Sequence, residues 1–143
     1  MTRKSGRDGN IDYQTLVAFR SALRRFLRIS EEIASGLGLT PQQHQMMLVI
    51  RGYSGEGHPT IGALAKRLQV RHNSAVGLIN RLARLGFVKR VPGKRDRRQV
   101  QVLFTGNGLA MLEKLTLAHH AELKQIGPEI RKLLTILQRQ WEQ

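Results

Sequence analysis

Cysteine is absent from the 143 residues of this chain, which excludes disulfides, thiolate-ligated metals and thiol redox sensing together. Long apolar runs are missing as well. The longest is Met46–Ile50, far short of the roughly 20 residues that span a bilayer. At the N-terminus Arg3, Lys4 and Arg7 are followed by no apolar stretch, so residues 1–10 read as a flexible basic tail and not as a secretory signal. These absences suit a cytoplasmic protein with no membrane partner. Catalytic signatures are lacking too: the chain has no H-E-x-x-H, no P-loop, no G-x-G-x-x-G and no cysteine nucleophile. It therefore reads as a non-enzyme with no cofactor.

What is present is 41% hydrophobic and 24% charged residues, the balance of a globular domain. Acid is scarce where base is dense. Between Gly57 and Thr105 stand Lys66, Arg67, Arg71, Arg81, Arg84, Lys89, Arg90, Lys94, Arg95, Arg97 and Arg98, against the single acid Asp96. Eleven cations less one anion make this third of the chain carry +10 of the formal +14. Charge so concentrated calls for a polyanion, with nucleic acid the first candidate. A basic but unspecialised surface is the alternative.

The apolar spacing organises the rest. Leu16, Phe19, Leu23, Phe26, Ile33 and Leu37 recur every three or four residues, broken by Ser30, and predict a long amphipathic helix ending at Gly36 and Gly38. Thr40-Pro41-Gln42-Gln43 is a capping box with Pro at the first helical position, opening a helix to about Tyr53. Thr60 caps a short helix with Ile61, Leu64, Ala65 and Leu68 inward. A second follows from Arg71, with Ala75, Leu78, Ile79, Leu82 and Leu85 on one face and Gly86 as its stop. Two helices so closely joined predict a helix-turn-helix. Phe87–Val91 and Gln99–Phe104 read as strands around the turn Pro92-Gly93-Lys94-Arg95, together a wing. Thr105 caps a helix marked by Leu109, Leu112, Leu115, His119, Leu123 and Ile126. Gly127-Pro128 should break it and start a last helix through Leu137 and Trp141.

The predicted fold is mainly α with a small β-hairpin wing. Residues 11–143 would form one domain, with 40–104 the winged helix-turn-helix and 11–38 and 105–143 dimerisation helices. The terminal helices carry more apolar surface than the small module between them covers, which points to a homodimer over a compact monomer. With Ala75, Leu78, Ile79 and Leu82 inward, the residues His72, Asn73, Val76, Gly77, Asn80, Arg81 and Arg84 face outward or flank that contact. His72, Asn73 and Ser74 offer short donors and acceptors suited to base edges in the major groove of double-stranded DNA. Val76 could meet a thymine methyl, and Gly77 admits close backbone approach. Arg81 and Arg84 suit phosphates, with Thr60 and Arg71 completing the DNA-facing set. Lys94, Arg95 and Arg97 at the wing tip suit a minor groove. Asp96 among them is expected to pair with a neighbouring arginine, or to be an ordinary turn aspartate.

These segments resemble the MarR family of transcriptional regulators. The resemblance rests on Leu64, Ala65 and Leu68, then Arg71-His72-Asn73-Ser74-Ala75-Val76 and Arg81-Leu82-Ala83-Arg84-Leu85-Gly86-Phe87-Val88. Asp96, Arg98, Val102, Phe104, Thr105 and Gly108 follow, in the order of the family's D-x-R-x-x-x-V-x-L-T-x-x-G run. It implies a dimeric winged helix-turn-helix repressor acting on a pseudo-palindrome, with Asp96 and Arg98 bracing the wing. It further implies a small aromatic or phenolic effector, for which Arg20, His44, Met47 and His119 are the candidate lining. Met47 and His44 read equally as core and helix residues. Gly93 and Asn80 stand where the family often has Asp, and Phe104 where it often has Leu. A non-specific nucleic-acid coat remains the alternative function, and membrane-surface binding by the arginine-rich first helix a remoter one. His119 and His120 are adjacent on a helix, about 100° apart, which is not the spacing of a helical zinc site.

Overall fold

A computed structural model describes residues 12–142; the basic tail expected over residues 1–10 lies outside the described residues. Five helices and one hairpin follow in the order α1 (Tyr13–Gly36), α2 (Pro41–Arg51), α3 (Ile61–Leu68), α4 (His72–Arg84), β1 (Val88–Pro92), β2 (Val100–Phe104) and α5 (Gly106–Trp141). They group into two compact units. One takes the chain up to Ser30 and from His119 onward; the other is Glu31–Ala118. These divisions fall inside α1 and α5. The physical reason is packing: the apolar core of the second unit includes Ala34, Leu112 and Leu115, which are drawn from those two helices.

Within Glu31–Ala118 the local chemistry of the chain is visible at each boundary. The Thr40 side chain accepts the Gln43 N–H at 3.2 Å while Gln43 Oε1 accepts the Thr40 N–H at 3.0 Å, a closed capping box. Thr60 Oγ1 accepts the Ala63 N–H at 3.1 Å and starts α3. Gln69, at φ +57°, takes the left-handed turn that separates α3 from α4. At the end of α4, Gly86 supplies φ +80°, and its N–H and that of Phe87 return to the carbonyls of Ala83 and Leu82. Met46, Met47, Leu64, Ile79, Leu82, Leu115 and Val102 are the largest fully enclosed side chains here.

The hairpin pairs Val88 with Phe104 and Pro92 with Val100, antiparallel. Two ties hold it beside the helices. Val102 N–H donates to the Pro59 carbonyl at 2.9 Å, joining β2 to the approach of α3. The Thr105 hydroxyl donates to the Gly86 carbonyl at 2.5 Å, and its N–H to the Phe87 carbonyl at 3.0 Å, joining the wing's end to the end of α4. Gly108 fits under this junction because it has no Cβ; one built there would collide with the Phe87 carbonyl and the Phe104 ring.

In the other unit Ser30, the interruption in the apolar row of α1, sits 2.6 Å from His119 Nε2, so the polar break has a buried polar partner. Arg25 and Glu129 form an ion pair at 2.5 Å. The expected break at Gly127-Pro128 does not occur: α5 runs through Pro128 unbroken. Proline there removes one backbone bond, but the apolar stripe stays in phase across it, with Ile126 before and Leu137 after both buried. Tyr13, Val17, Leu27 and Trp141 remain exposed by 57 to 78%. No described helix is long and apolar enough to cross a membrane.

Candidate nucleic-acid interface

The α4 helix buries Ala75, Leu78, Ile79 and Leu82. At about 100° per residue, Asn73, Gly77 and Arg84 then lie on the opposite face. Arg71, His72, Asn73 and Ser74 are exposed at its start. Arg71 is the N-cap residue and makes no side-chain capping bond, so its side chain is not consumed by the helix start. Arg81 and Arg84 occupy the last turn, exposed, where cations also complement the helix dipole. Gly77 has nothing within 4 Å of the position a Cβ would take. Nothing inside the fold requires a glycine there.

The wing tip joins β1 to β2 and exposes Lys94, Arg95, Arg97 and Arg98. Its shape comes from two contacts. Asp96 Oδ1 accepts the backbone N–H of Arg98 at 3.0 Å, an Asx-type turn. Gly93 N–H donates to the Gln99 carbonyl at 2.7 Å across the neck of the loop. The carboxylate of Asp96 thus engages backbone and not a guanidinium, which corrects the expected pairing with an arginine side chain. A separation of two residues is the one at which an aspartate side chain reaches a following backbone N–H and mimics a backbone turn. Gly93 is buried, and a side chain there would run into the carbonyls of Asp96 and Gln99. The loop as folded admits no aspartate at that position.

Thr60 is half-buried with its hydroxyl engaged as the α3 cap. Asn80 is half-buried and its Oδ1 accepts from Arg90 Nη1 at 2.6 Å. Arg90 belongs to the basic block and is exposed on β1. Its signal was alternation: Val88 faces inward, and two residues on the same sheet face presents Arg90. Thr60, His72, Val76, Arg90 and Arg98 line one cleft of about 230 Å³ between the helices and the wing.

The residues named for an effector differ in burial. Arg20 is exposed on α1, whereas His44 and Met47 are buried in α2 and Met47 is part of the apolar core. His119 is buried against Ser30. Among the described residues no group of three His, Asp or Glu gathers as metal ligands would.

The sequence profile described as the MarR family matches residues 37–99, from the end of α1 to the wing tip. The helix-turn-helix-type regulator PrsX of Escherichia coli is 24% identical over 125 residues, 86% of this chain and 75% of its own length. The helix-turn-helix-type transcriptional repressor YetL of Bacillus subtilis is 28% identical over 123 residues, covering 82% of this chain and 71% of its own. A variant of MarR from E. coli, complexed with operator DNA, matches with a TM-score of 0.66 and 25% identity over 88% of this chain and 92% of that one. The chain belongs to the MarR family. This MarR-family protein is a DNA-binding transcriptional regulator with a winged helix-turn-helix, and not an enzyme.

Proposed function

We propose that this MarR-family protein is a cytoplasmic, homodimeric repressor that binds a pseudo-palindromic operator and is released by a small aromatic or phenolic effector. The observation that carries the reading is α4: a fully apolar buried face, with Asn73, Gly77 and Arg84 opposite it and His72, Ser74 and Arg81 exposed at its flanks. His72, Asn73 and Ser74 read base edges, Arg81 and Arg84 hold phosphates, and Lys94, Arg95 and Arg97 enter the adjacent minor groove. Asp96 and Arg98 keep the wing in shape.

Dimerisation is supported by Tyr13, Val17, Leu27 and Trp141, which are large, apolar and exposed near the two ends of the chain. The repressor role has support in the name of YetL, and the DNA target in the operator complex of E. coli MarR. An effector carrying a carboxylate would meet Arg20, which is exposed on α1.

Binding measured by fluorescence anisotropy, on duplexes selected from random DNA and on unselected duplex, tests the proposal. Preference for the selected site by about 10³ or more, on half-sites one helical turn apart, is expected. Equal affinity for every sequence would replace the repressor by a non-specific nucleic-acid coat. A panel of aromatic acids added to the bound complex should include one that releases it, and sedimentation should give a dimer.

A further inference from the structure

One arginine of the wing is held by a neutral partner. Arg90 pairs in register with Val102, which is fully buried, and shares a sheet face with buried Val88. Its stem therefore rises from the edge of the core toward α4, where Asn80 Oδ1 takes a hydrogen bond from Nη1 at 2.6 Å. A guanidinium has five N–H donors, so this bond leaves most of them for another acceptor. No carboxylate of the described residues lies within ion-pair distance of Arg90. Asn80 thus fixes the direction of the cation without cancelling its charge; an aspartate at the same place would do both.

The cleft that Arg90 helps to line also holds Arg98 and His72, has no acidic residue on its wall, and is about 230 Å³. Two guanidiniums and an imidazole without a counter-charge suit a tetrahedral oxyanion. We propose that Arg90, aimed by Asn80, seats a phosphate of the DNA backbone in this cleft, and that Asn80 is a positioning residue and not a reader of bases. The inference rests on the DNA-binding reading above, and it changes the duty of Asn80 from facing the DNA to steering an arginine that does.

Binding of the full chain to a random-sequence duplex and to a selected duplex, each over a salt series, provides the test. Arg90→Gln should lower the slope of log K against log salt by about one for each protomer bound, since one phosphate contact contributes about 0.9. Asn80→Ala should weaken both duplexes by a similar factor of several-fold and leave the slope in place, because the arginine is untethered but still charged. Asn80→Asp should lower the slope, and in the Arg90→Gln background its effect should largely vanish, a coupling that a double-mutant cycle reads. Thermal melting of each variant checks that the fold persists; Asn80→Asp is nearly isosteric, and Arg90 is exposed, so its replacement leaves no cavity. An unchanged slope for Arg90→Gln overturns the proposal. So does a loss for Asn80→Ala confined to the selected duplex, or equal losses for Asn80→Asp with and without Arg90. If the unaltered protein shows no salt-dependent binding at all, the underlying DNA-binding reading fails first, and visibly so.

Discussion

Gly77→Ala separates what the fold wants from what the DNA wants. Glycine inside a helix is about 1 kcal/mol less favourable than alanine, because the unfolded chain has more freedom to lose. Here that deficit has no internal compensation: Gly77 is mid-helix in α4, and nothing lies within 4 Å of where its Cβ would stand. The substitution should therefore stabilise the protein by about 0.5–1 kcal/mol, a rise in melting temperature of about 2–4 °C for a chain of this size. DNA binding should move the other way. Gly77 shares the outer face of α4 with Asn73 and Arg84, so a methyl group there holds the helix away from the groove floor and strains each base contact. Losing the quality of one good base contact costs about 1–3 kcal/mol, so roughly tenfold weaker operator binding is expected. Calorimetric or dichroism melts and anisotropy on the selected duplex measure the two effects. A variant that is more stable and binds as well as the parent would show that Gly77 does not meet DNA. A destabilised variant would show that the helix has a neighbour at that point.

Four further outcomes are expected. Arg97→Ala should weaken binding to all duplexes and reduce the salt slope by about one per protomer; an unchanged slope would leave the wing a structural element. Asn73→Ala should cost about 1–3 kcal/mol on the selected duplex and little on random DNA, and equal losses on both would remove it from base reading. Gly108→Ala should destabilise the protein by about 1–3 kcal/mol in urea, as the new methyl meets the Phe87 carbonyl; a neutral result would mean that the Gly86–Phe87 turn yields easily. The Asp12 carboxyl is held below its ordinary value, first by the Thr15 hydroxyl and then by the Thr15 N–H. A depressed carboxyl stabilises above its unfolded pKa and ceases to as pH falls through the lowered value. Protection of the Thr15 amide, taken relative to its intrinsic exchange rate, should accordingly fall only under acid, and Asp12→Asn should abolish that dependence.

The elements of this fold were legible wherever the signal was local. Thr40 with Gln43, Thr60, Gly86 and Thr105 mark their boundaries through bonds to residues one turn away, and the three- and four-residue spacing of α4 names its buried face without reference to any other element. Pro128 misled for the same reason: as a local signal it says break, while Ile126 and Leu137, packed on either side, keep the helix whole. Asp96 shows the complementary limit, since its choice between a guanidinium and the Arg98 N–H depends on how the tip closes around Gly93.

By itself the sequence determined the helix-turn-helix, the wing, the cationic surface and the family, because periodicity, caps and charge density are properties of neighbouring residues. Tertiary structure alone decided that Asn80 meets Arg90, ten positions away on another element, and that Arg90 borders a cleft with His72 and Arg98. It also decided that Gly93 and Gly108 are places where backbone passes too close for a side chain. Such facts depend on which distant atoms the packed core brings within a few ångströms, and a linear pattern carries no record of that distance.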